Sequence, residues 1–355
     1  MMNKKNKCRK MLLIFFLIFT LSLIFSALSE ISDIIILLKR DYKHCYTTYS
    51  SDIDIKTIPA QQLTMKSINF SYQNRKENKK SNEVIHIALV SARAENFRDL
   101  KISIQTLLMK TESLITFHLI GDIENYNYMK DLLAQCSKHN VKLYDWKKYK
   151  YLIDFLPTTH YSGTFALLKL LIPEILPPTV ERVVVIDTDM IFNRDIKLLW
   201  SFFHEFDKRQ LIGIAGEQST TYTLLSNKWL VVNHGYNSGL MLMDLKKLRE
   251  LHWYMFWKAE VSANLLTFHI LELADQDVVN SVAYEYPDMF YEIPCHWNRQ
   301  WQPSGNACEL SAFPENEISV LHFNGKYKDI YRTNLPKYIW DLLQKTLDDN
   351  FVIVN

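Results

Sequence analysis

Glycine is scarce in this chain, with eight residues among 355. No Gly-x-Gly-x-x-Gly follows the first apolar run, and no Gly-x-x-x-x-Gly-Lys-Ser/Thr occurs anywhere, so neither dinucleotide-binding nor P-loop chemistry is expected. Charge of either sign is nearly balanced, net +2 at pH 7, which implies no polyanionic partner and no nucleic acid. The five cysteines show no Cys–His spacing of the zinc-site kind. Internal repeats are absent.

One long uncharged run is present. Lys4, Lys5, Lys7, Arg9 and Lys10 precede residues 11–29, a stretch long enough to cross a hydrocarbon core of about 30 Å as a helix. The charge asymmetry, with Glu30 and Asp33 just after, predicts a cytosolic tail over 1–10 and a lumenal remainder. A cleaved signal peptide is the rival reading, with Ala27-Leu28-Ser29 as a poor site and an apolar core longer than such peptides carry. Residues 30–82 are rich in Lys, Asn, Ser and Thr and read as a stem unable to bury enough apolar surface to order itself. Asn69-Phe70-Ser71 in this stem is a glycosylation sequon, consistent with a lumenal address. Cys8 and Cys45 fall in these leading segments, and Cys136 lies on an apolar helical pattern. Cys295 and Cys308 bracket a short loop, where an oxidising lumen favours a disulfide.

Residues 83–355 suffice for one large α/β domain. An apolar run at 84–90 reads as a first buried strand, followed by a helix around Leu100–Leu108, a strand at 115–120, a helix at 127–139, a strand at 141–144 and a helix at 165–176. This alternation predicts a doubly wound, mostly parallel sheet. The next strand, Val183-Val184-Val185-Ile186, delivers Asp187-Thr188-Asp189 at its C-terminal end, where open α/β sheets bind ligands. Two hard oxygens there suit a divalent cation, and the cation suits a diphosphate. A turn-capping pair is the bland alternative. Asp-x-Asp also occurs at Asp52-Ile53-Asp54, without a strand before it, and at Asp275-Gln276-Asp277.

The order of motifs then becomes recognisable: His160-Tyr161-Ser162-Gly163, Lys169-Leu170, Asp187-Thr188-Asp189, Gly235-Tyr236-Asn237-Ser238-Gly239, Asp275-Gln276-Asp277, Pro294-Cys295-His296-Trp297-Asn298 and Leu321-His322-Phe323-Asn324-Gly325. Over about 84–347 the chain resembles glycosyltransferase family 8, most closely the xylosyltransferase domain of LARGE-type xylosyl- and glucuronyltransferases. The resemblance implies a glycosyltransferase A-type fold, with Asp187, Asp189 and His322 as ligands of Mn²⁺. It implies Asp275 and Gln276 beside the donor anomeric carbon, and Asn237 and Lys169 at the donor sugar. It also implies Ser91 and Ala92 near the uracil, and Gly325 and Lys326 at the diphosphate. Each has an ordinary reading: an N-cap for Asp275, a left-handed turn for Asn237, a surface lysine for Lys169 and Lys326, and a buried strand histidine for His322. Asp277 either faces the same site or stabilises its helix.

The reaction implied is retaining transfer of xylose from UDP-xylose to a glucuronate-terminated glycan on a glycoprotein, by a single-pass type II enzyme of the Golgi membrane. LARGE-type proteins carry a second, glucuronosyl-transferring domain, so this chain alone is expected to add one xylose. The alternatives are a glucoside xylosyltransferase acting on O-glucosylated proteins and an inactive glycan-binding pseudoenzyme. Trp253 and Trp257, four apart on a helical pattern, are expected in the core, and Trp297 and Trp301 remain open as acceptor contacts. A last helix is expected over 336–347.

Overall fold

The computed structural model describes residues 83–92, 97–134, 138–219, 230–301 and 318–325. All belong to the compact unit Glu83–Asn355. The expected anchor at 11–29, the stem, Asp52, Asp54, Asn69, Lys326, Cys8, Cys45, Cys136, Cys308 and the 336–347 helix lie outside the described residues. Among the described residues no helix is long and apolar enough to cross a membrane.

The chain opens with β1 (Val84–Ser91), α1 (Phe97–Met109), β2 (Leu114–Gly121), α2 (Ile123–Leu133) and β3 (Asn140–Asp145). It then passes through α3 (Thr164–Leu167) and α4 (Ile172–Ile175) to β4 (Arg182–Ile186) and β5 (Met190–Phe192). The second half runs α5 (Ile196–Trp200), β6 (Ile212–Gly216), β7 (Tyr236–Asp244), α6 (Leu245–Glu250), α7 (Trp253–Phe268) and α8 (Asp275–Glu285), then β8 (Phe290–Glu292), β9 (Arg299–Gln300) and β10 (Val320–His322).

Among the described residues the strands form a seven-stranded sheet, in order β3-β2-β1-β4-β7-β6-β8, and a three-stranded sheet, β5-β10-β9. In the larger sheet only β7 runs against its neighbours. The mostly parallel α/β architecture is therefore the expected one. Alternate residues Ile85, Ile87 and Leu89 of β1 bury one face of the sheet with Phe117 and Leu119 of β2. Leu100, Ile104 and Leu107, spaced along one stripe of α1, join the same core.

Two helices differ from the sequence reading. Helix α2 starts at Ile123 rather than near Asn127, because the Asp122 side chain accepts from Asn125 N–H and caps the helix earlier. The expected continuous helix over 165–176 is divided, with a 3-10 turn at Leu168–Leu171 between α3 and α4. Pro173 sits in the first turn of α4, where its missing N–H would break an uninterrupted helix.

The four tryptophans singled out from the sequence are buried. Trp253 and Trp257 are fully buried, as expected, and Trp253 Nε1 donates to Leu170 O at 3.0 Å. Trp297 and Trp301, open as acceptor contacts, are buried too: Trp297 packs edge-on against Phe202 and Trp301 stacks on Phe323. Cys295 is disulfide-bonded.

Candidate active site

Three parallel strands end along one edge of the large sheet. β4 leads into Asp187, β1 into Ala92, and β6 into Glu217. Because β7 is antiparallel, its first residues, Tyr236 and Asn237, reach the same edge. Asp187 N–H donates to Gly239 O at 2.8 Å, so the first aspartate is pinned to β7 as β4 ends. The chain then crosses into the small sheet through Thr188 and Asp189. There β10 runs antiparallel to β5, pairing His322 with Met190, and Phe323 N–H donates to Asp189 O.

Register therefore carries His322 back to both aspartates. Its Nε2 lies 3.7 Å from Asp187 Oδ2 and 3.4 Å from Asp189 Oδ1. Ligand atoms of the three residues all fall within 4.8 Å of one another. Two carboxylate oxygens and one imidazole nitrogen converging on one point form a donor set that fits a divalent first-row cation and leaves positions for phosphate oxygens. Gly239 makes room for the imidazole, since a Cβ there would stand 2.2 Å from His322 Cε1.

A cleft of about 610 Å³ opens beside this cluster. Of the residues singled out from the sequence, Ala92, Lys169, Asp187, Asp189, Asn237, Asp275, Gln276, His322 and Gly325 line it. Ser91 does not. Its hydroxyl accepts from Asn125 Nδ2 at 2.9 Å below the sheet edge, because alternate residues of β1 face opposite ways and Val90 and Ala92 take the cleft side.

Lys169 is 4 % exposed, not a surface residue. Its ammonium donates to Asp187 Oδ1 at 3.0 Å and Ser238 O at 3.2 Å and forms an ion pair with Asp275 Oδ2 at 2.9 Å. Burial works against the charged ammonium, but the Asp187 and Asp275 carboxylates outweigh it and raise the Lys169 pKa. Burial also pushes the Asp275 carboxyl up, with Lys169 pulling the other way. The short distances favour the ion pair.

Asp275 is the first residue of α8 rather than its cap, and Ala274 precedes it at φ 52°, ψ −118°. That backbone region costs a residue with a Cβ roughly 1–3 kcal/mol. Asp277 holds the strained turn, its Oδ2 accepting from Leu273 N–H at 2.8 Å. Asn237 is likewise not a turn residue but the second residue of β7.

Residues without a sequence-based assignment complete the floor. Glu217, buried at the end of β6, accepts from Asn237 Nδ2 at 2.9 Å and Gln276 Nε2 at 3.0 Å. An acid following an apolar strand is the signal that pointed to Asp187, and it applies equally here. Asn298 Oδ1 meets His322 Nδ1 at 2.9 Å. At the rim, Tyr161 is 41 % exposed and packs on His160 with ring centroids 4.3 Å apart. Burial first, then nearby Lys169, lowers the His160 pKa to about 4, so its ring is neutral at pH 7.

The family description "Glycosyl transferase family 8" matches residues 33–329. The chain belongs to glycosyltransferase family 8. Curated relatives include mouse "Xylosyl- and glucuronyltransferase LARGE2", 34 % identical over 254 residues, covering 69 % of this chain and 36 % of the relative. Human "Xylosyl- and glucuronyltransferase LARGE1" is 32 % identical over 252 residues, covering 69 % of this chain and 33 % of the relative. The chain thus spans about a third of the length of these relatives. Among solved structures, apo mouse Xyloside xylosyltransferase 1 superposes with a TM-score of 0.56 at 21 % identity, covering 68 % of this chain and 98 % of that one. Galactosyltransferase LgtC, bound to donor and acceptor sugar analogues, superposes with a TM-score of 0.55 at 14 % identity, covering 74 % of this chain and 97 % of that one. Both likenesses concern the α/β fold alone.

Proposed function

We propose that this family 8 glycosyltransferase is a retaining, Mn²⁺-dependent xylosyltransferase that uses UDP-xylose and places an α-linked xylose on a glucuronate-terminated glycan of a secretory-pathway glycoprotein. The observation that carries the reading is the convergence of Asp187, Asp189 and His322 within 4.8 Å at the cleft that Asn237, Asp275 and Gln276 also line. The names of the relatives support xylose as the transferred sugar. The basic residues before 11–29 support a type II Golgi membrane protein with its catalytic domain in the lumen.

Mn²⁺ held by Asp187, Asp189 and His322 would supply the positive charge that stabilises a diphosphate leaving group. The chain's own groups do the positioning. Gly325, at φ 109° on the cleft wall, lets backbone approach the diphosphate without a side chain between, and Lys326 follows it as a second source of charge. Ala92 lies at the end of β1, on the side assigned to the uracil. Asn237 and Gln276 are held by Glu217 so that each amide keeps one further N–H for the sugar.

Asp275 is committed to Lys169 at 2.9 Å, which makes it a poor nucleophile and argues against a covalent glycosyl intermediate. Same-face attack fits better: the departing phosphate oxygen takes the proton of the acceptor hydroxyl, while the Asp275 carboxylate stabilises positive charge at the anomeric carbon and the Gln276 amide, its oxygen held by Ser238 N–H, orients the sugar.

A second reading of the acceptor rests on charge. The described cleft wall carries Asp99, Glu217 and Glu272 beside the metal-site acids, and Lys169 is the only cation among the described residues that line it. Such a wall favours a neutral glucoside over a glucuronate. Full-length protein supplied with a panel of UDP-sugars, Mn²⁺, and matched β-glucuronide and β-glucoside acceptors decides both points. The proposal expects transfer from UDP-xylose to the glucuronide, with an α-configured product by NMR. Transfer to the glucoside alone moves the chain to the second reading, and transfer of a different sugar overturns the donor assignment.

A further inference from the structure

A run of buried amides crosses the floor of the cleft from the sugar side to the cation side, and its proton positions can be read without ambiguity. Gly239 N–H donates to Asn237 Oδ1 at 3.1 Å. A peptide N–H only donates, so the oxygen of Asn237 must face it and the Nδ2 must face Glu217 Oε2, at 2.9 Å. Reversing this amide would set N–H against N–H and oxygen against carboxylate.

With Asn237 Oδ1 fixed as an acceptor, Asn298 has to present Nδ2 to it, and does so at 2.9 Å. The remaining atom, Asn298 Oδ1, then faces His322 Nδ1 at 2.9 Å. Two acceptors cannot share that contact, so Nδ1 carries a proton. The second nitrogen, Nε2, is the one directed at Asp187 and Asp189.

We infer that Asn298 is a positioning residue for His322: it holds the proton on Nδ1 and thereby dedicates Nε2 to the cation. Glu217 anchors the relay at its other end, since its Oε2 also accepts from Gln276 Nε2 at 3.0 Å while its Oε1 accepts from Ser219 N–H at 2.9 Å. A partner on the far nitrogen of a metal-binding histidine commonly fixes the ring and strengthens binding. Here that partner is itself oriented by a backbone N–H two contacts away. The inference deepens the reading of Asp187, Asp189 and His322 as the cation site and rests on it.

Two measurements test the relay. In ¹⁵N-labelled, metal-free full-length protein, the His322 resonance, assigned by its loss in His322→Gln, should show a hydrogen bonded directly to Nδ1. An unprotonated Nδ1 overturns the proposal. Mn²⁺ affinity, read by electron paramagnetic resonance of the free ion, should fall about 10–100-fold in Asn298→Leu. It should stay within about threefold of wild type in Asn298→Asp, whose protonated carboxyl donates its O–H to Asn237 Oδ1 while its other oxygen accepts from Nδ1–H. Equal Mn²⁺ affinities in wild type and Asn298→Leu overturn it, as does an equal loss in both variants. If wild type binds no Mn²⁺ while Nδ1 is protonated, the cation site fails and the orientation of His322 stands.

Discussion

Lys169 offers the sharpest test of how the cleft holds its charges. Asp275, only 2 % exposed, has its Oδ2 against this ammonium, and Asp187 shares it from a position whose side chain is 35 % exposed. Replacing Lys169 by Met keeps the length of the side chain and removes its charge. The solvent-facing Asp187 can recover some hydration, whereas Asp275 cannot, so the penalty falls mainly on Asp275. Removing one partner of a buried ion pair costs about 3–5 kcal/mol, which at about 2–4 °C per kcal/mol for a domain of this class lowers Tm by about 6–20 °C. Asp275→Asn alone should cost about 1–2 kcal/mol, because Lys169 retains Asp187 and Ser238 O. The double variant should then be more stable than Lys169→Met, since the stranded charge is gone. Urea unfolding of all four proteins in chelator measures this cycle. Simple additivity of the two single losses would refute the claim that the pair is coupled.

Three further outcomes follow from particular contacts. Gly239→Ala places a methyl 2.2 Å from His322 Cε1, so the ring must shift by about 1 Å or more to restore van der Waals separation; Mn²⁺ affinity by calorimetry should drop at least tenfold, and an unchanged value contradicts the packing. His118 is buried between His86 and Tyr144, with Nε2 and Nδ1 contacts of 3.0 and 2.9 Å, and burial, then His86 and Lys142, lower its pKa to about 3. A depressed histidine contributes stability above its unfolded pKa near 6.5 that is lost as pH falls toward 3, amounting to about 2 kcal/mol at pH 5. His118→Gln should remove that slope from urea unfolding compared between pH 7.5 and 5; an identical slope in the variant refutes it. Arg249 donates to the carbonyls of Pro173, Leu176, Pro177 and Val180, so Arg249→Ala should cost about 2 kcal/mol of thermal stability, and a loss below about 0.5 kcal/mol would show those carbonyls to be satisfied by water.

Much of this architecture was legible because it depends on local pattern. Buried strands followed by acids announced β4 and the Asp187–Asp189 pair, and motif order brought in His322, which lies far along the chain. What stayed hidden depends on contacts between distant residues. Asn237 meets Asn298 across a separation of 61 residues, and Glu217 meets Gln276 across 59; an Asn or Glu alone does not announce such a partner. The resemblance put Lys169 at the donor site and it does line the cleft, but a helical lysine reads equally as a surface residue, and its burial against Asp187 and Asp275 could not be read from local pattern. The 165–176 helix was overextended because periodicity continued through Pro173, while the missing N–H divided the segment into shorter turns. Ser91 was assigned one step off the cleft, since alternation along β1 turns its side chain away.

The central claim is that Asp187, Asp189 and His322 form a cation site on which nucleotide-sugar chemistry depends. Turnover of UDP-xylose by the full-length protein should be measured with Mn²⁺, after complete chelation, and in Asp189→Asn with Mn²⁺ restored. Turnover is expected in the first case and a loss of at least a hundredfold in the other two. Activity that survives chelation, or a normal rate in Asp189→Asn, would contradict it.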